Sequence, residues 1–380
     1  MAATDSYTGG DGRLSPLSTP SATRAVLEAH GIGTKYTLGQ NFLVNDDVLK
    51  KIIALAEVGE NDRVLEVGPG IGTLTIALLK HAASVIAIER DPDLPAVLAD
   101  TLHPWREKFA LIEKDALDVT RDDIVAAMVE IGGDTGYPDR ASSAANETAQ
   151  WAVSQSEDCL SESGYPVAPP QEDLQLSLPS KLVANLPYAV AATVVLDYFE
   201  SFPFLDSATI MVQKEVADRM AAAVGTKNYG AYTVKLGLYA EPVGRFAVGP
   251  GNFFPPPRVD SAVIRLNRRV PLRADGAPAS PEVIAAAALM ADAAFTNRRK
   301  TIANSCKTYF SGRGPILLGV ADSSAAEGAP TIALPDGAAI AERLAAIFDA
   351  ATIDPRRRGE TLTQQEFLAL GAALLKVTAA

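Results

Sequence analysis

Leu65-Glu66-Val67-Gly68-Pro69-Gly70-Ile71-Gly72-Thr73-Leu74 places three glycines between an apolar run, Arg63-Val64-Leu65, and a segment of helical spacing, Leu74–Leu79. A strand that turns into a helix through G-x-G-x-G lets the backbone approach a ligand. It also predicts that the first amides of the helix are free to donate to that ligand. Enzymes that move hydride with a dinucleotide more often carry G-x-G-x-x-G at this turn. Here Glu66 stands two places before Gly68, where it repels a pyrophosphate and attracts an amino-acid ammonium or a sulfonium. The turn therefore points to S-adenosylmethionine rather than to a dinucleotide.

Working outward, Ser84–Ile88 reads as a buried strand ending on Glu89, the position from which such folds hydrogen-bond both hydroxyls of a ribose. A third strand, Phe109–Glu113, leads to Asp115, at the sheet edge where open α/β folds hold ligands and within reach of an adenine amino group. Lys181–Ala184 and Ala208–Val212 give a fourth and a fifth strand. Strands alternating with helices predict an α/β, doubly wound, Rossmann-like methyltransferase sheet. Ahead of the turn, Asn45 or Asp46 caps a helix with apolar positions at Val48, Leu49, Ile52, Ile53 and Ala56. Gln40 and Asn41, read alone, are a polar turn before that helix. Late in the chain, Phe253-Phe254-Pro255-Pro256-Pro257 stiffens a loop that runs into an alternating strand ending at Leu266.

Asn185-Leu186-Pro187-Tyr188 follows the fourth strand directly. The exocyclic amine of adenine is a poor nucleophile because its lone pair is delocalised into the ring. Methylating it calls for acceptors that draw the amino hydrogens out of plane and a flat partner that fixes the base. Asn185 supplies a side-chain carbonyl, Pro187 a backbone carbonyl freed by its rigid ring, and Tyr188 an aromatic face. As an isolated tetrapeptide this is as readily a strand-ending turn. After a fourth strand, with the glycine turn, Glu89 and Asp115 already in place, the catalytic reading is favoured.

The chain has 380 residues, 48% of them hydrophobic, enough for two or three domains. Residues 1–24, rich in Ser, Thr, Gly and Pro, predict a flexible tail, with a short helix over Ala22–His30. The methyltransferase domain is expected over 25–273. From Ala274 the texture changes to alanine-rich helices at Pro281–Asn297, Thr301–Phe310, Ala338–Ala350 and Gln364–Leu375, a small all-helical domain over 274–380 with a Gly/Ala-rich interruption at 312–337. The formal charge of -12 is unevenly spread. Residues 121–180 hold 11 Asp/Glu against 2 Arg and predict a disordered acidic insertion, whereas 258–313 hold 10 Lys/Arg against 4 acids. Two distant cysteines and three scattered histidines predict no disulfide and no metal site. With no leader-like segment or bilayer-length apolar run, the expected location is the cytoplasm, away from membranes.

With those residues in hand, the chain resembles the ribosomal RNA adenine dimethyltransferases that act on the small subunit. The resemblance rests on Gly39-Gln40-Asn41-Phe42-Leu43, Glu66 to Gly72, Glu89, Asp115 and Asn185 to Tyr188. It extends to Gln213 to Arg219, Phe253 to Leu266, Phe295 to Thr301 and Arg358 to Leu362. It implies an S-adenosylmethionine site formed by Asn41, Leu43, Glu66, Gly68, Gly70, Gly72, Glu89, Asp115 and Asn185. Asn185, Pro187 and Tyr188 would be catalytic, and Arg258, Arg298, Arg299 and Lys300 would bind RNA. The implied reaction dimethylates N6 of two adjacent adenines in the 3′-terminal hairpin of small-subunit rRNA during ribosome biogenesis, by a monomer whose partner is the immature small subunit. Two rivals stay open: the sister class that dimethylates large-subunit rRNA, and a non-catalytic RNA-binding factor on the same fold. A DNA adenine methyltransferase is disfavoured by the tetrapeptide.

Overall fold

The computed structural model describes residues 12–33, 40–131, 178–312 and 337–379. Its strands are β1 (Phe42–Leu43), β2 (Arg63–Val67), β3 (Ser84–Ile88), β4 (Phe109–Ile112), β5 (Lys181–Asn185), β6 (Ser207–Gln213), β7 (Ala240–Val248), β8 (Phe253–Phe254) and β9 (Ser261–Arg268). The helices up to the fifth strand are α1 (Pro20–Ala29), α2 (Asp46–Ala56), α3 (Thr73–Leu79), α4 (Leu94–Thr101) and α5 (Arg121–Glu130). Beyond it come α6 (Ala191–Ser201), α7 (Lys214–Met220), α8 (Ala231–Gly237), α9 (Pro281–Phe295), α10 (Ile302–Gly312), α11 (Gly337–Ala350) and α12 (Gln364–Ala379). The chain divides into two compact units. One reaches Asn185 and takes in Gly251–Pro256; the other comprises Leu186–Pro250 and Pro257–Ala380.

In the first unit β4, β3, β2 and β5 lie side by side in that order, all parallel. Every residue of β3 is buried, as expected of a parallel strand covered on both faces. Asn45 caps α2, its Oδ1 accepting from the amides of Asp47 at 2.9 Å and Val48 at 3.3 Å. The residues α2 buries are Val48, Leu49, Ile52, Ile53 and Ala56, the stripe the spacing predicts. Each large one contributes about 1.5–3 kcal/mol of burial.

Two sequence expectations change here. Residues 12–24 are packed rather than a free tail: Leu17 is 2% exposed, and the amide of Leu14 donates to Asp46 Oδ1 at 2.8 Å. Thr19 and Pro20, inside the expected tail, are the N-cap and first residue of α1, since a first-turn proline has no intrahelical N–H to lose. Likewise the acidic stretch begins with a helix, α5, whose Thr120 and Asp123 form a reciprocal capping box. The rest of that stretch, 132–177, lies outside the described residues, as do 1–11 and 313–336.

The second unit holds an antiparallel ladder in which β9 runs between β6 and β7. β9 buries Ser261, Ala262, Val263 and Ile264 in succession, so the alternation expected of it is confined to Ile264–Asn267. Arg268 donates to the carbonyls of Leu205, Phe199 and Phe202 at 2.5, 2.9 and 2.8 Å, closing the C-terminal end of α6. The helices share a core that includes Met290, Phe310, Phe348, Phe367 and Leu370, and it also recruits Tyr229 and Val234. The alanines of α9 have a packing reason: a Cβ on Gly371 of α12 would lie 2.6 Å from the backbone of Ala287. Among the described residues no helix is long and apolar enough to cross a membrane.

Candidate active site

The glycine turn between β2 and α3 is a shape before it is a set of donors. Gly68, Gly70 and Gly72 have φ of 71°, 61° and 88°, left-handed values that side chains resist. A Cβ on Gly70 would stand 3.1 Å from the Phe42 ring. The amides of all three are used within the fold. Gly68 donates to the Ile88 carbonyl at 2.9 Å and Gly72 to that of Pro69 at 3.0 Å, while Gly70 donates to the Glu89 carboxylate. Gly68 and Gly72 tie the turn to neighbouring backbone, and Gly70 holds an acid in place.

Three carboxylates sit at the C-terminal ends of the parallel strands. Glu66 on β2 is 1% exposed, and its Oε2 has no hydrogen-bond partner among the described residues. Burial pushes its carboxyl up to about 8; the Thr75 hydroxyl opposes the shift and the nearby Glu89 charge adds to it. Glu89, past the end of β3, is 8% exposed and accepts from the amides of Arg90 and Asp91, each at 2.9 Å on Oε1. Burial raises its pKa against those backbone hydrogen bonds. Asp115, past β4, pairs with Arg90 at 2.8 Å and accepts from the Leu117 amide at 3.1 Å, which holds its carboxyl below the usual range.

The segment before α2 is bound to this edge. Gln40 Nε2 donates to Asp91 Oδ2 at 2.6 Å. Phe42 and Leu43 pair with Phe254 and Phe253 as β1 against β8. The Val44 amide donates to the Asn252 carbonyl at 2.8 Å, and Asn45 Nδ2 to Asn252 Oδ1 at 2.8 Å. Leu43 is buried in that ladder. Gly39 lies outside the described residues.

Asn185 closes β5, where the parallel register sets Leu182 opposite Leu65. Its Nδ2 donates to the carbonyl of Asn41 at 3.1 Å, so the amide is turned with Oδ1 as the open acceptor. Asn41 and Asn185, both predicted site residues, are thus in direct contact.

Beyond Asn185 the chain enters the second unit. Tyr188 shares a hydrogen bond of 2.6 Å with Ser261, the first residue of β9. Burial raises the Tyr188 pKa, with the Ser261 contact opposing it, so the phenol is neutral near pH 7. The Pro187 carbonyl, expected to be free, is occupied. It accepts from the amides of Val190 and Ala191 at 3.2 and 3.1 Å, because the tetrapeptide runs straight into α6. Sequence reasoning passed over Ser261, Arg90 and Asp91, although Ser261 lay inside a stretch that carried the family resemblance.

The predicted RNA-binding cations divide. Arg298 donates to Glu360 at 2.8 Å and to the Thr226 carbonyl at 2.9 Å, binding three segments of the second unit together. Arg258, Arg299 and Lys300 are exposed and form no ion pair among the described residues.

This donor set fits S-adenosylmethionine on two observations: the buried, unpartnered Glu66 Oε2, suited to an ammonium, and the close approach of the backbone at Gly70, where the Phe42 ring leaves little room for a side chain. Glu66 and Glu89 would hold the two ends of such a molecule, which when bound supplies an electrophilic methyl group on sulfur. Comparison with known proteins agrees. The family described as "Ribosomal RNA adenine dimethylase" matches residues 33–329. A ribosomal RNA small subunit methyltransferase A of Geobacillus sp. is 32% identical over 361 residues, 95% of this chain and 98% of its own. One from Enterococcus faecalis is 33% identical over 364 residues, 95% and 97% of the two chains. A dimethyladenosine transferase of Plasmodium falciparum shares the fold, with a TM-score of 0.56 at 20% identity over 87% of this chain and 95% of its own. Matched in this way across most of its length, the chain belongs to the ribosomal RNA adenine dimethylase family.

Proposed function

We propose that the protein dimethylates N6 of two adjacent adenines in the 3′-terminal hairpin of small-subunit rRNA, using S-adenosylmethionine, as a step of ribosome biogenesis. The observation that carries the chemistry is the Asn185 amide, fixed through Nδ2 to Asn41 and presenting Oδ1 at the strand edge where Glu66 and Glu89 stand. In this reading Oδ1 accepts an amino hydrogen of the target adenine and keeps the nitrogen lone pair out of conjugation. Tyr188 stacks on the base, and Leu186-Pro187 stiffen the turn that presents both. No general base is required, since the proton leaves after the methyl arrives, and catalysis is positioning and electrostatics. A paired adenine has to be extruded first. Asn41, Leu43, Glu66, Gly68, Gly70, Gly72, Glu89 and Asp115 form the cofactor site, Asp115 toward the adenine ring while it holds Arg90.

Arg258, Arg299 and Lys300 contact rRNA phosphates, and Arg298 orders the surface that carries the latter two. The small-subunit assignment is supported by the names of the curated relatives and by the resemblance around Phe295 and Arg358. The protein acts in the cytoplasm, as a monomer and without a membrane. The test is methyl transfer from labelled S-adenosylmethionine to purified small and large subunits lacking the modification. Dimethyladenosine in the small subunit alone is expected; transfer to the large subunit alone would overturn the assignment.

A further inference from the structure

Tyr188 and Ser261 are 73 residues apart in sequence, yet their hydroxyls share the 2.6 Å hydrogen bond. The two ends of that bond are unequally held. Tyr188 belongs to the short stretch between β5 and α6 and is half-buried. Ser261 is fully buried on β9, with Gln213 of β6 opposite it on one side and Val248 of β7 on the other. Just before it, the Asp260 carbonyl accepts from the Lys214 amide at 2.9 Å, tying this end of β9 to the start of α7. A hydroxyl between two ladders has little freedom, whereas an aromatic ring on a turn can swing about its side-chain torsions.

We infer that Ser261 is a positioning residue for the reaction, holding the plane of the Tyr188 ring through the phenol oxygen. The inference rests on the proposed role of Tyr188 as the stacking partner of the target adenine. Stacking energy depends on the offset and tilt of the two planes, so a ring pinned at its far end meets the base already oriented. An unpinned ring has to be ordered in each encounter, a penalty that falls on turnover when the geometry is needed only as the methyl moves. Ser261 touches neither the base nor the methyl donor in this account. Its contribution passes wholly through Tyr188.

The test is a double-mutant cycle on the full-length protein, with small subunits as substrate. Ser261→Ala and Tyr188→Phe each remove the same hydrogen bond, and each is expected to lower kcat about 3- to 10-fold, the weight of one neutral hydrogen bond. KM for the subunit and affinity for S-adenosylmethionine should stay unchanged, and the double variant should be no slower than the slower single one. Ser261→Thr, which keeps the hydroxyl, should recover most of the rate. Tyr188→Phe leaves β9 untouched, so it reads the bond even where Ser261→Ala folds poorly. Full kcat in Tyr188→Phe or Ser261→Ala, or losses that multiply, would overturn the inference. Tyr188→Ala separates this from the parent reading: if it dimethylates normally, the stacking role itself is wrong. If it is inactive while Tyr188→Phe is fully active, only the positioning role of Ser261 falls.

Discussion

The Asn185 amide and the Asn41 carbonyl meet at 3.1 Å across 144 residues of sequence. A free asparagine presents its oxygen and nitrogen in either direction. Here the nitrogen is committed, because turning the amide over would set its oxygen against the Asn41 oxygen and lose the bond. The polar segment ahead of α2 therefore dictates which end of Asn185 faces an incoming amine. In this rRNA adenine dimethyltransferase that choice decides between an acceptor, which methylation of an amine requires, and a donor, which would oppose it.

Asn185→Ala is expected to lower methyl transfer by at least about 100-fold, the scale of removing one preorganised polar group from a transition state. Cofactor affinity should change only a few-fold. Single-turnover transfer and calorimetric binding check the two halves, and undiminished transfer would sink the role given to Oδ1.

Glu66 makes cofactor binding depend on pH. With its carboxyl pushed up to about 8, it is protonated in the folded, ligand-free protein through neutral pH, while in the unfolded chain it ionises near its ordinary 4.5. Between those values the folded state holds the extra proton, so its stability falls as pH rises from about 5 to 8. Glu89 is shifted in the same direction. An ammonium ligand reverses the preference by favouring the carboxylate, and binding should release a proton below pH 8. Affinity is expected to rise from pH 6 to 8 and then level off. Calorimetry in buffers of different ionisation enthalpy reads the proton directly. Glu66→Gln should abolish that release and weaken binding about 10- to 100-fold.

Gly70→Ala meets two obstacles: a φ of 61° and the Phe42 ring 3.1 Å from the new methyl. A loss of about 1–2 kcal/mol in stability is expected from the backbone alone, with weaker cofactor binding because the new methyl pushes the turn and the Phe42 ring apart. Urea unfolding with and without S-adenosylmethionine checks both effects, and a wild-type midpoint in each would refute them.

Among the basic residues the effects should separate by partner. Arg298→Ala removes the bonds to Glu360 and Thr226, which are partly exposed, and should lower stability by about 1 kcal/mol. Arg299→Ala and Lys300→Ala should leave the thermal midpoint alone. Each should weaken rRNA association and reduce the salt dependence of binding by roughly one phosphate contact. Binding titrations at several salt concentrations distinguish the two classes.

The strands around the cofactor edge were legible because parallel strands are written as short apolar runs. Ser84–Ile88 and the stripe of α2 are found where their residues place them. β7 was not anticipated, since Glu241-Pro242 and Gly244 break the apolar pattern there. It is an edge strand, where proline costs no ladder bond, with a register shift between Pro242 and Gly244. α5 escaped because acids dominated the reading of its neighbourhood, while the signal that mattered was the local pair Thr120 and Asp123. At the site, residue types pointed to Glu66, Glu89 and Asn185. Sequence could not tell that the Pro187 carbonyl is used up by α6 or that Asn41 faces Asn185, because both depend on where the backbone goes next.

The pairing of β1 with β8 also sets a timetable for the newborn chain. Phe42 and Leu43 wait for Phe254 and Phe253, and Asn45 for Asn252, a closure spanning 207 residues. The glycine turn and its parallel strands are synthesised long before that partner, yet the segment lying over Gly70 has nothing to pair with until the late phenylalanines emerge. Competence to hold the methyl donor should therefore arrive late and abruptly during synthesis. A polypeptide released at residue 250 would possess every predicted cofactor-binding residue and still be unable to fasten Phe42 over the turn.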